Sequence, residues 1–124
     1  MNTITWIFSG ALAVVFTISG ILKATMSRAR LIATGQTGIA PFPMPLIRLV
    51  AICELAAVAG LFAPWLTNHA RILTPLAAVG LAVVMIGAAT SHSSLKEPKS
   101  TAANTVLLAL ATFVAATRFA DLFL

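Results

Sequence analysis

The sequence predicts an all-α protein, a single integral membrane domain over residues 1–124 arranged as a four-helix up-down bundle. Three observations lead there. Of 124 residues, 60% are hydrophobic and 9% are charged, whereas about a quarter are charged in soluble domains. A soluble domain this small has no interior for so much apolar surface, and a bilayer accepts it. The apolar residues fall into four runs, 4–22, 46–63, 72–90 and 101–120, each close to the ~20 residues that span hydrocarbon as a helix. Most of the charges lie in the gaps between these runs.

The first run, 4–22, has Trp6 at its start, where an indole suits the headgroup region. Its length corresponds to roughly 28 Å of helix. Ser9, Gly10, Ala13 and Gly20 are small enough for close helix contact, and Lys23 ends the run. No basic residue precedes it, and no Ala-x-Ala site precedes Lys23. A retained helix is therefore expected, not a cleaved signal.

Residues 24–45 form a long connection. Arg28 and Arg30 alternate with Leu31, Ile32 and Ile39, which suits a short surface helix, although Gly35 and Gly38 weaken it. Pro41, Pro43 and Pro45 exclude regular helix before the next span. The connection is either a solvated linker or a flap over the bundle end.

The second run, 46–63, is expected to stop at Pro64, with Trp65 at its exit. Ala56 and Gly60 form a small-xxx-small contact face. Near its middle stands Glu54, an ionisable group that is costly in hydrocarbon and needs a partner. Cys53, the sole cysteine, excludes an intrachain disulfide or a thiolate cluster and reads as a small core residue. The short turn 65–71 makes the second and third spans antiparallel neighbours. In the third run, 72–90, Pro75 falls in the first turn, where its missing N–H is tolerated. Gly80, Gly87 and Ala88 are again small, and the run ends in Thr90-Ser91-His92 before the polar stretch 93–100. The fourth run, 101–120, carries Asn104 near its start and Arg118 near its end. Asp121 is placed for an intrahelical ion pair with Arg118, or Arg118 anchors at the interface.

In an up-down bundle, Lys23, Arg48, Glu54, His92 and Asn104 all gather toward one end, although they come from four different helices. Glu54 must be neutralised or paired, and Lys23 is the best-placed cation. Arg48 lies about 120° around the helix from Glu54 and is not expected to face it. His92 titrates near physiological pH, and Asn104 both donates and accepts. Such a set suits a quinone-like head, with donors aimed at its carbonyl oxygens. It equally suits a structural ion pair between Lys23 and Glu54, a helix-capping His92 and an interhelical Asn104. No metal site is expected, because the two histidines fall at opposite membrane sides. The charge of +5 is not arranged as a basic stripe interleaved with aromatics, which argues against nucleic acid and for contact with lipid headgroups. No phosphate-binding loop, nucleophile elbow or zinc-protease motif is present.

Gly20-Ile21-Leu22-Lys23, Arg48 followed by Glu54, Gly60-Leu61, Gly87-Ala88 with His92 soon after, Asn104 and Arg118 together resemble the DoxX-like family, from about Ser19 to Arg118. The resemblance implies a small bacterial four-helix membrane protein. Its name-giving relatives resemble subunits of a quinone-linked oxidoreductase acting on thiosulfate or quinol. Most members of the family have no assigned activity. The chain has no haem-ligating histidine pair across helices and no redox cysteine pair, so electrons would come from elsewhere. The expected function is a membrane subunit that binds a quinone or similar lipophilic redox carrier, with no built-in cofactor. Its partners are the bilayer and another membrane or peripheral protein. The rivals are a scaffold or assembly factor that docks a partner membrane protein, and a small-solute or lipid carrier using Glu54 as a proton-coupled site.

Orientation follows from charge. Lys23, Arg28, Arg30, Arg48, Lys96 and Lys99 lie toward the end with the 24–45 and 91–100 loops, and only Arg71 and Arg118 lie at the other. The positive-inside rule puts the two loops in the cytoplasm and both termini outside the inner membrane. A reporter fused after Leu124 that works only outside the cytoplasm is expected to be active, and strong activity of a cytoplasm-only reporter there reverses the topology.

Overall fold

The computed structural model describes residues 2–124. Among these, four helices are long and apolar enough to cross a membrane. They are α1 (Asn2–Thr25), α3 (Met44–Thr67), α4 (Leu73–Ser94) and α5 (Pro98–Phe123), with a short α2 (Arg28–Ala33) and a 3-10 turn (Thr37–Ile39) between α1 and α3. The long helices form a closed ring in which α3 lies between α1 and α4, and α5 between α4 and α1. The architecture is the expected all-α up-down bundle. Leu12, Phe16, Leu61, Leu81 and Val114 fill its axis. Outside, Ile7, Val14, Ile52 and Val83 are each more than 60% exposed. An apolar outer surface is at home only against lipid tails.

Each helix runs a few residues beyond the sequence-based boundaries, and two of the extensions matter. Pro64 does not stop α3, which continues to Thr67. A proline inside a helix deprives the carbonyl four residues earlier of its donor, here Gly60. The Thr74 hydroxyl of α4 supplies the missing bond, 2.8 Å from Gly60 O. A neighbouring helix thus satisfies the freed carbonyl, as hydrocarbon requires. At the other end of α4 the helix continues past Thr90 to Ser94, so His92 is helical. Pro45 sits in the first turn of α3 and Pro98 at the start of α5, where a missing N–H costs nothing.

The connection between α1 and α3 is a flap, not a solvated linker. Ser27 caps α2 by accepting from the Arg30 N–H. Gly35 takes φ +100, a left-handed turn that suits glycine. Leu31, Ile39 and Ile47 then form a small buried cluster with Leu22, Met26 and Phe42 against it. Arg28 donates to the carbonyls of Ile39, Ala40 and Phe42, so the segment is folded on itself.

Small residues serve unequally. A Cβ on Gly60 would lie 2.8 Å from that of Ala77, and one on Gly20 would lie 2.8 Å from Leu55. Gly10, Gly80 and Gly87 have nothing within 4 Å of that position. Cys53 is exposed on the outer face of α3, which corrects its reading as a core residue. With lipid outside, both faces of α3 are apolar, and periodicity does not separate them. Gly60→Val is expected to force α3 from α4 and destabilise the bundle by about 1–3 kcal/mol, while Gly80→Ala leaves it unchanged. Unfolding in detergent micelles checks both, and equal effects contradict the packing described.

Candidate functional site

The polar site is built first on α1 and α3. Glu54 stands ten residues into α3 and is wholly buried. The Lys23 ammonium donates to its Oε1 at 2.7 Å, with the lysine side chain only 9% exposed. Gly20, one turn earlier on α1, lets the helices approach closely enough for the pair to form. Glu54 Oε2 is buried with no hydrogen-bond partner among the described residues. Arg48 does not meet Glu54. Its Nη1 donates to the Lys23 carbonyl at 2.6 Å, satisfying one of the carbonyls left open in the last turn of α1. Arg48 thus holds the backbone of the residue whose side chain holds Glu54.

A second constellation joins the flap to α4. Helix α4 closes in a Schellman turn. Lys96 is left-handed at φ 58, its N–H bonds Ser93 O at 3.0 Å, and the Glu97 N–H bonds His92 O at 3.0 Å. That turn swings Glu97 back over His92, where its Oε1 accepts from His92 Nδ1 at 2.8 Å. Thr37 Oγ1, from the flap, lies 2.8 and 2.9 Å from the two Glu97 oxygens. Ser91 Oγ donates to Gly38 O at 2.6 Å. Three polar contacts, two from Thr37 and one to Gly38, therefore latch the 3-10 turn onto the end of α4. Gly38 packs on the imidazole so tightly that a Cβ there would lie 2.7 Å from His92 Nε2.

Hydrogen bonds from His92 and then Thr37 hold the Glu97 carboxyl below its ordinary value. A lowered folded-state value means that the latch is at full strength above the ordinary carboxylate range. It weakens as pH falls through the lowered value.

Between the flap and the helices lies a cavity of about 540 Å³, within the range of small-molecule sites. Its walls are mostly apolar, including Phe16, Ile47, Met85 and Leu107. Lys23, Gln36, His92 and Asn104 supply polar groups. Asn104 Nδ2 donates to Ser100 O at 2.9 Å, which leaves its second N–H and its carbonyl oxygen. Of the five residues singled out in the sequence, Lys23, His92 and Asn104 line this cavity, and Glu54 and Arg48 do not. Glu54 stands behind Lys23, facing a shallower groove between α3 and α4.

The sequence reading missed Glu97, Thr37, Gly38 and Ser91. A carboxylate five residues after a histidine, across a helix end, was the available signal. At the opposite end, Arg118 is wholly buried, and its guanidinium lies 4.5 Å from the Trp6 ring and 4.3 Å from the Trp65 ring. Asp121 Oδ2 is 3.7 Å away. Arg71 lies over Trp65 at 4.0 Å. Trp6, from the start of α1, and Trp65, from the end of α3, converge there on a cation.

A model of the DoxX-like family matches residues 7–114. The chain belongs to the DoxX-like family. The match takes in Lys23, Arg48, Glu54, His92, Glu97 and Asn104 and ends before Arg118. No curated protein and no solved structure matches the chain. This DoxX-like protein is therefore a multi-pass membrane protein in contact with the bilayer, and what it binds must be argued from its own geometry.

Removing one partner of the buried pair leaves an uncompensated charge. Lys23→Met is expected to destabilise the bundle by about 3–5 kcal/mol, and Lys23→Met with Glu54→Leu to recover most of that loss. Unfolding of the single and double variants in micelles measures it; a double variant no better than the single contradicts the pairing.

Proposed function

We propose that this DoxX-like protein binds a lipophilic molecule with an oxygen-bearing head, of the quinone class, as the membrane subunit of a redox system. The single observation that carries this is the cavity, apolar along its length and polar at its flap end. The Lys23 ammonium has three N–H groups and spends one on Glu54. Asn104 has one amide N–H to spare. Both can donate to a ligand oxygen, and the apolar walls accept a ring and tail. His92, joined through Glu97 to the aqueous side, can take or give a proton. The ligand is the carrier of electrons; a partner protein supplies or removes them. The charge distribution supports a flap end facing the cytoplasm of a bacterial inner membrane.

A second proposal, a scaffold that docks a membrane partner, draws on one observation. Arg48 and Lys23 both find acceptors within the protein, so part of the polar set is used in holding helices together.

Purified protein in lipid nanodiscs is expected to bind a short-chain alkylated benzoquinone saturably. Lys23→Met is expected to weaken binding at least about tenfold, the scale of one hydrogen bond to a charged group. Asn104→Leu, which leaves the ion pair in place, is expected to weaken it severalfold. Absence of saturable binding to the wild-type protein sinks the proposal and favours the scaffold.

A further inference from the structure

We propose that Glu97, acting through His92, makes the cavity prefer the hydroxyl-bearing form of its ligand, a quinol or phenol, over the carbonyl form. The inference rests on the binding function proposed above and specifies its substrate.

A carboxylate is an acceptor and has no proton to give. With Glu97 Oε1 at 2.8 Å from His92 Nδ1, the hydrogen of the neutral imidazole sits on Nδ1. The tautomer of a histidine is set by the bond its other nitrogen makes. Nε2 is then left with a lone pair. Nε2 has no hydrogen-bond partner among the described residues, and His92 lines the cavity. Glycine at position 38 keeps this edge uncovered, since a Cβ there would lie 2.7 Å from Nε2.

The other polar groups do not discriminate. Lys23 donates equally to a carbonyl or a hydroxyl oxygen, because both accept. Asn104 can turn its amide either way. Only the imidazole acceptor, fixed by Glu97, demands a proton from the ligand. A site that expects a hydroxyl and receives a carbonyl leaves its acceptor unpaired. The groups that bear on this are few. Glu97 bonds Nδ1, and Lys23 of α1 shares the cavity wall. Helix α5 contributes the uncharged Asn104. On α3, Arg48 is held on Lys23 O and Glu54 by Lys23, while Arg28 of the flap is tied to carbonyls. Glu97 is a positioning residue: it touches the imidazole, not the ligand.

Two readouts test this. Nitrogen NMR of the histidine-labelled His69→Gln protein, free of ligand in nanodiscs at neutral pH, is expected to show the Nδ1–H tautomer of His92. Glu97→Leu is expected to give a mixture. Anaerobic binding of an alkylated hydroquinone and of its quinone is expected to favour the hydroquinone at least about tenfold at mildly alkaline pH. Thr37→Val loosens the flap but leaves the Glu97–His92 bond, and it keeps the preference; Glu97→Leu abolishes it. An Nε2–H tautomer in the ligand-free protein overturns the inference, and so does equal binding of the two forms, although the binding function then stands. If neither form binds saturably, the binding function and the preference fall together.

Discussion

A carboxylate and an ammonium in contact, deep between apolar helices, set the arrangement of the flap end. Glu54 is tolerable there because Lys23 meets it at 2.7 Å; either charge alone is costly in hydrocarbon. The pair fixes more than its own two side chains. Within one turn of α1, Gly20 admits Leu55 of α3, the Lys23 side chain reaches Glu54, and the Lys23 carbonyl receives Arg48. Three contacts of different kinds pin one turn of α1 to α3. The α1–α5 contact is much narrower, and the cavity is lined by all four long helices and the flap.

The two ends of the bundle close in opposite ways. Away from the flap, Arg118 is enclosed by Trp6 and Trp65, with Thr5 Oγ1 bonded to Thr117 Oγ1 at 3.1 Å between α1 and α5. Aromatic faces and a cation fill that end with side chains from the helices themselves. At the flap end the closure is a separate segment, held by hydrogen bonds to Glu97 and Ser91. A stack of buried rings opens only if helices separate. A latch of a few hydrogen bonds near the aqueous boundary opens locally, at a fraction of the global stability. The flap end is the less firmly held of the two.

How much of this was legible in the sequence depends on how local each cause is. The four helices were legible because length and hydropathy decide them in a bilayer. The Lys23–Glu54 pairing was legible because a buried carboxylate has so few possible partners among so few charges. Pro64 was misjudged because its remedy is on another helix: the hydroxyl of Thr74 takes the carbonyl that Pro64 leaves open. Cys53 was misjudged because lipid-facing and core-facing positions are equally apolar, so no periodicity separates them. The His92–Glu97 contact was hidden because it needs one more turn of α4 and a left-handed Lys96, an unusual residue for that conformation. The flap was left undecided between two forms because its folding depends on Arg28 reaching carbonyls eleven to fourteen residues away.

The contact that seats the flap and the contact that orients the imidazole share one carboxylate but are separable. The same Glu97 carboxylate receives Thr37 from the flap and Nδ1 of His92. The Thr37 hydroxyl ties the flap to Glu97, while the left-handed turn at Lys96 holds that carboxylate over the histidine independently of the flap. With the flap in place, Gly38 lies beside the imidazole, where only a residue without a Cβ fits. Lys23 and Asn104 are fixed by α1 and α5 and offer donors. His92 is likewise oriented from its own helix, by Glu97 in the turn that ends α4, so these three groups stand on the bundle and the flap only covers them.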